Sequence, residues 1–222
     1  MTSQSSFNKL ASEITACDKC TRLVRWREKV AIEKRASYAT ETYWGKPISG
    51  FGDTRAKILV LGLAPGAHGA NRTGRIFTGD RSGDWLFRAM HKAGLASQPE
   101  SISRKDGLKL TNAWVSTAVR CAPPDNKPTP IERKKCSSFL SRELKLLDQV
   151  KVIICLGAFS LTAVCDELNI RPRPKFGHGV VVNHENFKIV CSYHPSQQNT
   201  FTGRLTEKMF DSVFKTAIAL QR

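Results

Sequence analysis

Four cysteines in this chain have spacings that suit metal ligands. Cys17 and Cys20 form a C-x2-C pair, and Cys121 and Cys136 are separated by fourteen residues. Four thiolates brought together can bind zinc or a [4Fe-4S] cluster, and spacing alone neither separates the two nor proves that the pairs meet. The other three, Cys155, Cys165 and Cys191, sit among Ile, Val and Leu, where cysteine behaves as a small hydrophobe. A second concentration of chemistry is Lys57–Gly83, KILVLGLAPGAHGANRTGRIFTGDRSG, which holds six of the fifteen glycines. Glycine lets backbone N–H groups approach a ligand closely. The stretch lacks the Gly-Lys-Ser/Thr ending of a P-loop, and its glycine spacing is not the dinucleotide fingerprint. It reads either as a bland connection or, since long loops in compact domains tend to carry function, as a binding loop. A third is the turn Tyr193-His194-Pro195-Ser196. On residue type alone Asp80 reads as the cap of a helix, and His194 as a satisfied polar group at a strand end.

The elements that must position these residues follow from periodicity. Ser5–Ala16 forms a short helix with Phe7, Leu10, Ala11 and Ile14 on one face. The segment TRLVRWREK after Cys20 reads as basic and exposed, and residues 36–53 as an irregular surface connection. Strands are expected at 57–62, 114–120, 152–156 and 187–192. Helices are expected from a Ser82 cap through His91, then at 131–147, 158–168 and 206–220. Strands alternating with helices predict a single domain over residues 1–222: an α/β fold, a three-layer α/β/α sandwich around a central, mainly parallel four-stranded sheet. The loops 62–80, 121–129 and 194–203 all follow carboxyl ends of strands. In a parallel sheet those ends lie on one edge, so the three loops should share a cleft.

Composition narrows the partner. Thirty-five basic residues against nineteen acidic ones give a net charge of +16, spread along the chain. A folded basic face points to a polyanion, nucleic acid rather than membrane. No run of eighteen apolar residues is present to span a bilayer. No basic segment followed by an apolar stretch marks a secretory signal, and the odd cysteine count suits a reducing cytosol.

Three motifs then carry a family resemblance: GLAPGAHGANRTGRIFTGD at 62–80, AVRCAPPDNKPTP at 118–130 and YHPSQQNTFTGRLT at 193–206. With Cys17, Cys20 and the helix cysteine Cys136, the chain resembles the uracil-DNA glycosylase superfamily over nearly its whole length. It is most similar to the type B, or family five, iron–sulfur members. The resemblance implies a structural [4Fe-4S] cluster on Cys17, Cys20, Cys121 and Cys136, tying the N-terminal segment to the Cys121–Cys136 loop beside the DNA. It also implies a monofunctional enzyme of base-excision repair that hydrolyses the N-glycosidic bond, acting as a monomer on DNA in the cytoplasm, at the nucleoid.

Base excision requires an extruded nucleotide, negative charge or water near the sugar, and donors near the departing base. By resemblance, Asp80 positions the water and stabilises the sugar cation, and His194 donates to the base oxygen in a neutral or charged form that the sequence does not assign. Phe77 stacks on the base, with an ordinary core phenylalanine as the competing reading, and Asn126 helps orient the Asp80 side or the base. Backbone from Gly62 through Ala64, Pro65 and Gly66 holds water and phosphate. Ser196, Asn199, Thr200 and Arg204 sit at the DNA backbone or in the gap left by the base. Related families place an asparagine where this chain has Thr117, and type A relatives place an acidic residue where it has Leu63. One hydroxyl cannot make the two-point contact of an amide, so a less discriminating pocket, open to hypoxanthine and xanthine beside uracil, is expected. Two rival readings stand beside this one: a non-enzymatic zinc-stabilised nucleic-acid-binding module, and a hydrolase or transferase of free nucleotides.

Overall fold

The structure, a computed structural model, describes residues 3–221. In chain order its elements are α1 (Ser3–Thr15), α2 (Thr21–Glu33), β1 (Phe51–Gly52), β2 (Ile58–Gly62), α3 (Ala70–Thr73), α4 (Arg81–Lys92), β3 (Ala113–Thr117), α5 (Pro130–Leu146), β4 (Val152–Leu156), α6 (Ala158–Glu167), β5 (Val181–Asn183), β6 (Lys188–Ser192), α7 (Gln197–Phe201) and α8 (Glu207–Leu220). Every residue of β2, β3 and β4 is buried. Continuous rather than alternating burial is what a parallel sheet covered on both faces requires.

Strand order is β1-β3-β2-β4-β6-β5. The inner four, β3, β2, β4 and β6, run parallel, with Gly62 opposite Thr117 and Leu156 opposite Ser192. Side chains from alternate strand positions sort to the two faces. Ile58, Val60, Val115, Ile154 and Val190 meet Leu86, Phe87 and Met90 of α4 and Phe210, Val213 and Phe214 of α8. Leu59, Leu61, Trp114, Ile153 and Ile189 meet Phe7 of α1, Leu140 of α5 and Leu161 and Val164 of α6. Each buried aliphatic or phenylalanine side chain contributes about 1.5–3 kcal/mol, so these two faces dominate stability. The sandwich is as expected. Among the described residues no helix is long and apolar enough to cross a membrane.

Several elements differ from the sequence expectation. The sheet is mixed and six-stranded rather than four-stranded, because β1 and β5 add antiparallel edges. Two- and three-residue strands are too short to leave a period-2 signature, and short edges also resist pairing with other chains. The second strand ends at Thr117, not 120, and α4 is capped by Asp80 rather than Ser82. The segment after Cys20 is α2, with Leu23, Arg27 and Val30 buried on one face. Spacings of four and three residues could have shown that face, but the charge of the segment obscured it.

Beneath β3 lies a buried ion pair. Arg120 Nη2 donates to Glu143 Oε2 at 2.6 Å, with both side chains 1 % exposed. Glu143 also accepts from Trp114 Nε1 at 3.0 Å and Ser116 Oγ at 2.6 Å. The pair fixes the exit of β3 onto α5. Glu143→Leu would leave the Arg120 charge buried and unpaired, at a cost of about 3–5 kcal/mol. Thermal unfolding should therefore show a midpoint lower by on the order of 10 °C. An unchanged midpoint would mean that Arg120 finds another counter-charge.

Candidate functional site

The glycine-rich loop after β2 is held from beneath by a second buried ion pair. Arg75 reaches Asp106 at 2.5 Å, Thr78 Oγ1 at 3.0 Å and Ser101 Oγ at 2.7 Å. Burial alone would raise the Asp106 carboxyl, but Arg75 and the N–H groups of Leu108, Ser103 and Ile102 hold it down to about 2. Arg72 Nη2 donates to Gly79 O at 2.9 Å, and Gly79 N–H to Ser101 O at 2.8 Å. Thus anchored, Phe77 is held at φ +53°, a left-handed conformation that a bulky side chain rarely adopts and that costs on the order of 1–3 kcal/mol. Strain of that size persists only where the surroundings over-determine it.

Phe77 faces Gly62, at the end of β2. A Cβ on Gly62 would stand 2.7 Å from the ring and 3.3 Å from the Thr117 methyl, so glycine is what opens this floor. The His194 ring centroid is 5.9 Å from that of Phe77, with the planes 30° apart. Asp80 completes the group. Its Oδ1 accepts the Gly83 N–H at 3.0 Å, capping α4. Its Oδ2 enters the turn formed by Gly66 and Gly69, where added Cβ atoms would lie 3.0 and 1.9 Å away. Asp80 therefore has the capping role that residue type suggests and also occupies a space that side chains at 66 and 69 would fill.

The electrostatics of the two titratable groups differ. Burial raises the Asp80 carboxyl above its ordinary value. The N–H groups of Gly83 and Ser82 and the Arg72 charge oppose the shift, and Asp84 adds to it. Burial alone takes His194 from 6.5 down to about 4. Burial therefore favours the neutral imidazole near pH 7.

The remaining expected residues fall into two groups. Thr117 is fully buried opposite Gly62, and its hydroxyl donates to Val119 O at 2.9 Å, so its proton is already committed. Ala64 packs with Leu23, Val119 and Cys121, and Pro65 is buried; lacking an N–H, Pro65 can offer a ligand only its carbonyl. Ser196 caps α7 through the Asn199 N–H, and Asn199 Nδ2 donates to His194 O at 2.9 Å, so both hold the histidine turn in place. Arg204 is exposed, its guanidinium 4.6 Å from the Tyr193 ring. Asn126 lies in the loop after Cys121. It is exposed at φ +55°, and among the described residues no hydrogen bond joins it to Asp80. Left-handed backbone is favourable for asparagine, so a turn-forming role accounts for it.

The four cysteines converge although their pairs are far apart in sequence. Cys17 and Cys20 lie in the turn between α1 and α2, Cys121 follows β3, and Cys136 is on α5. All four line one narrow cavity with Leu23, Arg27, Val119 and Phe139. Burial pushes up the thiols of Cys20, Cys121 and Cys136, Cys121 to about 12 and Cys136 to about 11, partly offset by Arg27 at Cys121 and by Arg120 at Cys136. Among the described residues no three His, Cys, Asp or Glu side chains are grouped as ligands of a single ion. Cys155, Cys165 and Cys191 are buried in the core, as their neighbours suggested.

Sequence reasoning missed three contributors. Arg27 is buried against Cys121, which its i, i+4, i+7 relation to Leu23 and Val30 could have signalled. Arg81, next to Asp80, places its guanidinium 4.5 Å from the Phe201 ring and so joins the Asp80 and His194 loops. Asn71, 1 % exposed, donates from Nδ2 to Arg27 O at 3.1 Å and from its N–H to Gly66 O at 2.9 Å. A cavity of about 250 Å³ between α1 and β1 touches none of Asp80, Phe77 or His194.

Comparison with known proteins gives consistent findings. The family profile described as the Uracil DNA glycosylase superfamily matches residues 49–217. A type-5 uracil-DNA glycosylase of Mycobacterium tuberculosis (strain CDC 1551 / Oshkosh) is 48 % identical over 216 residues, covering 96 % of this chain and 81 % of that protein. One from Thermus thermophilus is 48 % identical over 206 residues, covering 92 % of this chain and 93 % of that protein. One from Pyrobaculum aerophilum is 40 % identical over 213 residues, covering 96 % and 92 %.

The depressed His194 value has a direct consequence. Its folded value lies below that of the unfolded chain, so between pH 6.5 and about 4 the unfolded state binds more protons and stability falls as pH falls. Nitrogen-15 NMR at pH 6 should show His194 as a neutral imidazole. A protonated ring at that pH would contradict the burial described here.

Proposed function

We infer the reaction from a premise that the comparisons establish: this chain belongs to the uracil DNA glycosylase superfamily, and within it to the type-5 uracil-DNA glycosylases. It excises uracil from DNA by hydrolysing the N-glycosidic bond, in DNA repair. The observation that supports this reading is that the loop carrying Phe77 and Asp80 lies beside the His194 turn at the carboxyl edge of the sheet, the Phe77 and His194 ring centroids 5.9 Å apart. The net charge of +16 supplies salt-dependent affinity for phosphates without sequence preference.

In the proposed mechanism the extruded uracil stacks on Phe77, whose ring is held by the strained backbone. A water oxygen bonds to the sugar carbon as the bond from that carbon to the base nitrogen breaks, and the electron pair leaves with the base. Ionised Asp80 stabilises the developing cation and takes the proton of the water, and its raised value brings it closer to the range of a useful base. Neutral His194 donates an N–H to the base oxygen where negative charge develops, as neutral imidazoles can when burial lowers their basicity. The Thr117 hydroxyl, its proton donated to Val119 O, can offer a base edge only a single accepting contact. The pocket therefore selects by shape and stacking, and hypoxanthine and xanthine are proposed as further substrates.

A [4Fe-4S] cluster on Cys17, Cys20, Cys121 and Cys136 is the cofactor that these residues fit. The four thiols share one cavity but are not grouped around a single ion, and a buried positive charge lies against one of them. Zinc would draw four sulfurs to about 3.8 Å from one another, given zinc–sulfur bonds of about 2.3 Å. When bound, the cluster supplies a four-point cross-link between the α1–α2 turn, the exit of β3 and α5. The enzyme is proposed to act as a monomer at the nucleoid, with residues 1–222 forming one domain.

Single-turnover release of uracil from a labelled duplex, revealed by hot alkali, tests the reading. Asp80→Asn should slow release by about 10²–10⁴-fold while DNA affinity is retained. Equal loss of binding and release would remove Asp80 from the chemistry. The wild-type rate should fall on acidification through the raised Asp80 value, which lies above 3.8, because the ionised form is the active one. A duplex carrying hypoxanthine should also be cut; cleavage of uracil alone would overturn the account of Thr117.

A further inference from the structure

Arg27 is a charge without an adequate partner in the protein. It is 5 % exposed. Its Nη1 donates to Cys121 Sγ at 3.1 Å and to Cys17 O at 3.3 Å. The carboxylate beside it belongs to Glu28, at 3.5 Å from Nη2, on a side chain that is 55 % exposed. An ion pair so open to water is screened and contributes little. Arg27 Nε has no hydrogen-bond partner among the described residues. A buried guanidinium is costly unless a negative charge faces it, and the exposed Glu28 is a poor one. A [4Fe-4S] cluster on four thiolates is net negative, and its potential responds to nearby charge and to hydrogen bonds to its sulfurs.

Arg27 is also placed to act on one sulfur in particular. It sits one turn beyond Leu23 on the buried face of α2, with Val30 behind it, so its guanidinium is pressed into the cavity between Cys17 and Cys121. Other cations near these cysteines differ. Arg120 is neutralised by Glu143, and Lys19 and Lys135 are exposed at the rim.

We propose that Arg27 is the counter-charge of the [4Fe-4S] cluster, a positioning residue that donates to the Cys121 sulfur and so raises the reduction potential of the cluster and slows its loss. The proposal rests on the cluster assignment made under Proposed function. A positive charge beside the cluster favours the form with one more electron, so removing it makes reduction harder.

The test is a redox titration of the purified holoprotein followed by visible absorption and electron paramagnetic resonance, together with iron release to a chelator. It compares wild type, Arg27→Gln and Arg27→Lys. The Gln variant should show a more negative midpoint and iron release faster by roughly 10-fold or more. Lysine keeps the charge but not the planar fork that reaches Cys121 and Cys17 together, so its values should lie between the two. Wild-type midpoints and release rates in both variants would overturn the role of Arg27 and leave the cluster and the glycosylase reading standing. Should Arg27→Gln not fold, Arg27→Lys decides, since wild-type values there would overturn the proposal. A wild-type protein that binds zinc instead of iron would overturn the cluster assignment and this inference with it, while uracil release could still be observed.

Discussion

The site depends on one steric fact: the Asp80 carboxylate fills the turn at Gly66 and Gly69. Its Oδ2 stands where a Cβ on residue 69 would be, at 1.9 Å. Any side chain there would expel the carboxylate and undo the cap on α4 with it. Glycine is therefore required at this turn for what it leaves vacant, not only for backbone freedom. The same arrangement places the carboxylate where burial raises its value, while two backbone N–H groups still pay part of its desolvation. The helix cap and the proposed base are one group, because the N-terminus of α4 supplies the donors that make the buried charge tolerable.

Rigidity around that carboxylate comes from ion pairs rather than from apolar packing. The loop bearing Phe77 and Asp80 contains few large hydrophobes, so Arg75, Asp106, Ser101 and Thr78 take over the task of the core. Their network holds Phe77 in a left-handed conformation and its ring against Gly62 and His194. On the histidine side, Asn199 and Ser196 fix the turn locally. A site built on loops thus gains the precision of one built on strands, through buried polar groups that are satisfied.

The cysteine cavity and the catalytic group share one edge of the sheet and are mechanically continuous. Ala64, in the glycine-rich loop, packs on Cys121 and Leu23, and Asn71 bonds both α2 and Gly66. Arg27 stands at the junction, with its guanidinium at Cys121 and its carbonyl at Asn71. This continuity would give the proposed cluster a physical reason to sit beside a base-excision site: its cross-link would stiffen the wall against which the Asp80 loop is built.

Much of this was legible in the chain itself. Short apolar runs such as Ile58–Leu61 and Val152–Leu156, each followed by a glycine, marked central strands, and strand–helix alternation then pointed to the three layers and the shared edge for the loops. Motif order identified the family and the residues to examine. The two short edge strands were not legible, because two or three residues carry no period. Charge concealed Arg27 and α2, because composition reports how polar a side chain is and not what it faces. Position likewise could not separate Asn126, which turns outward, from Asn199, which holds the histidine turn. The convergence of Cys17 and Cys20 with Cys121 and Cys136, the burial that lowers the His194 value and the committed proton of the Thr117 hydroxyl were decided only by tertiary structure. Each depends on distance, burial or donor direction, for the cysteines between residues remote in sequence, and local propensity holds no record of those.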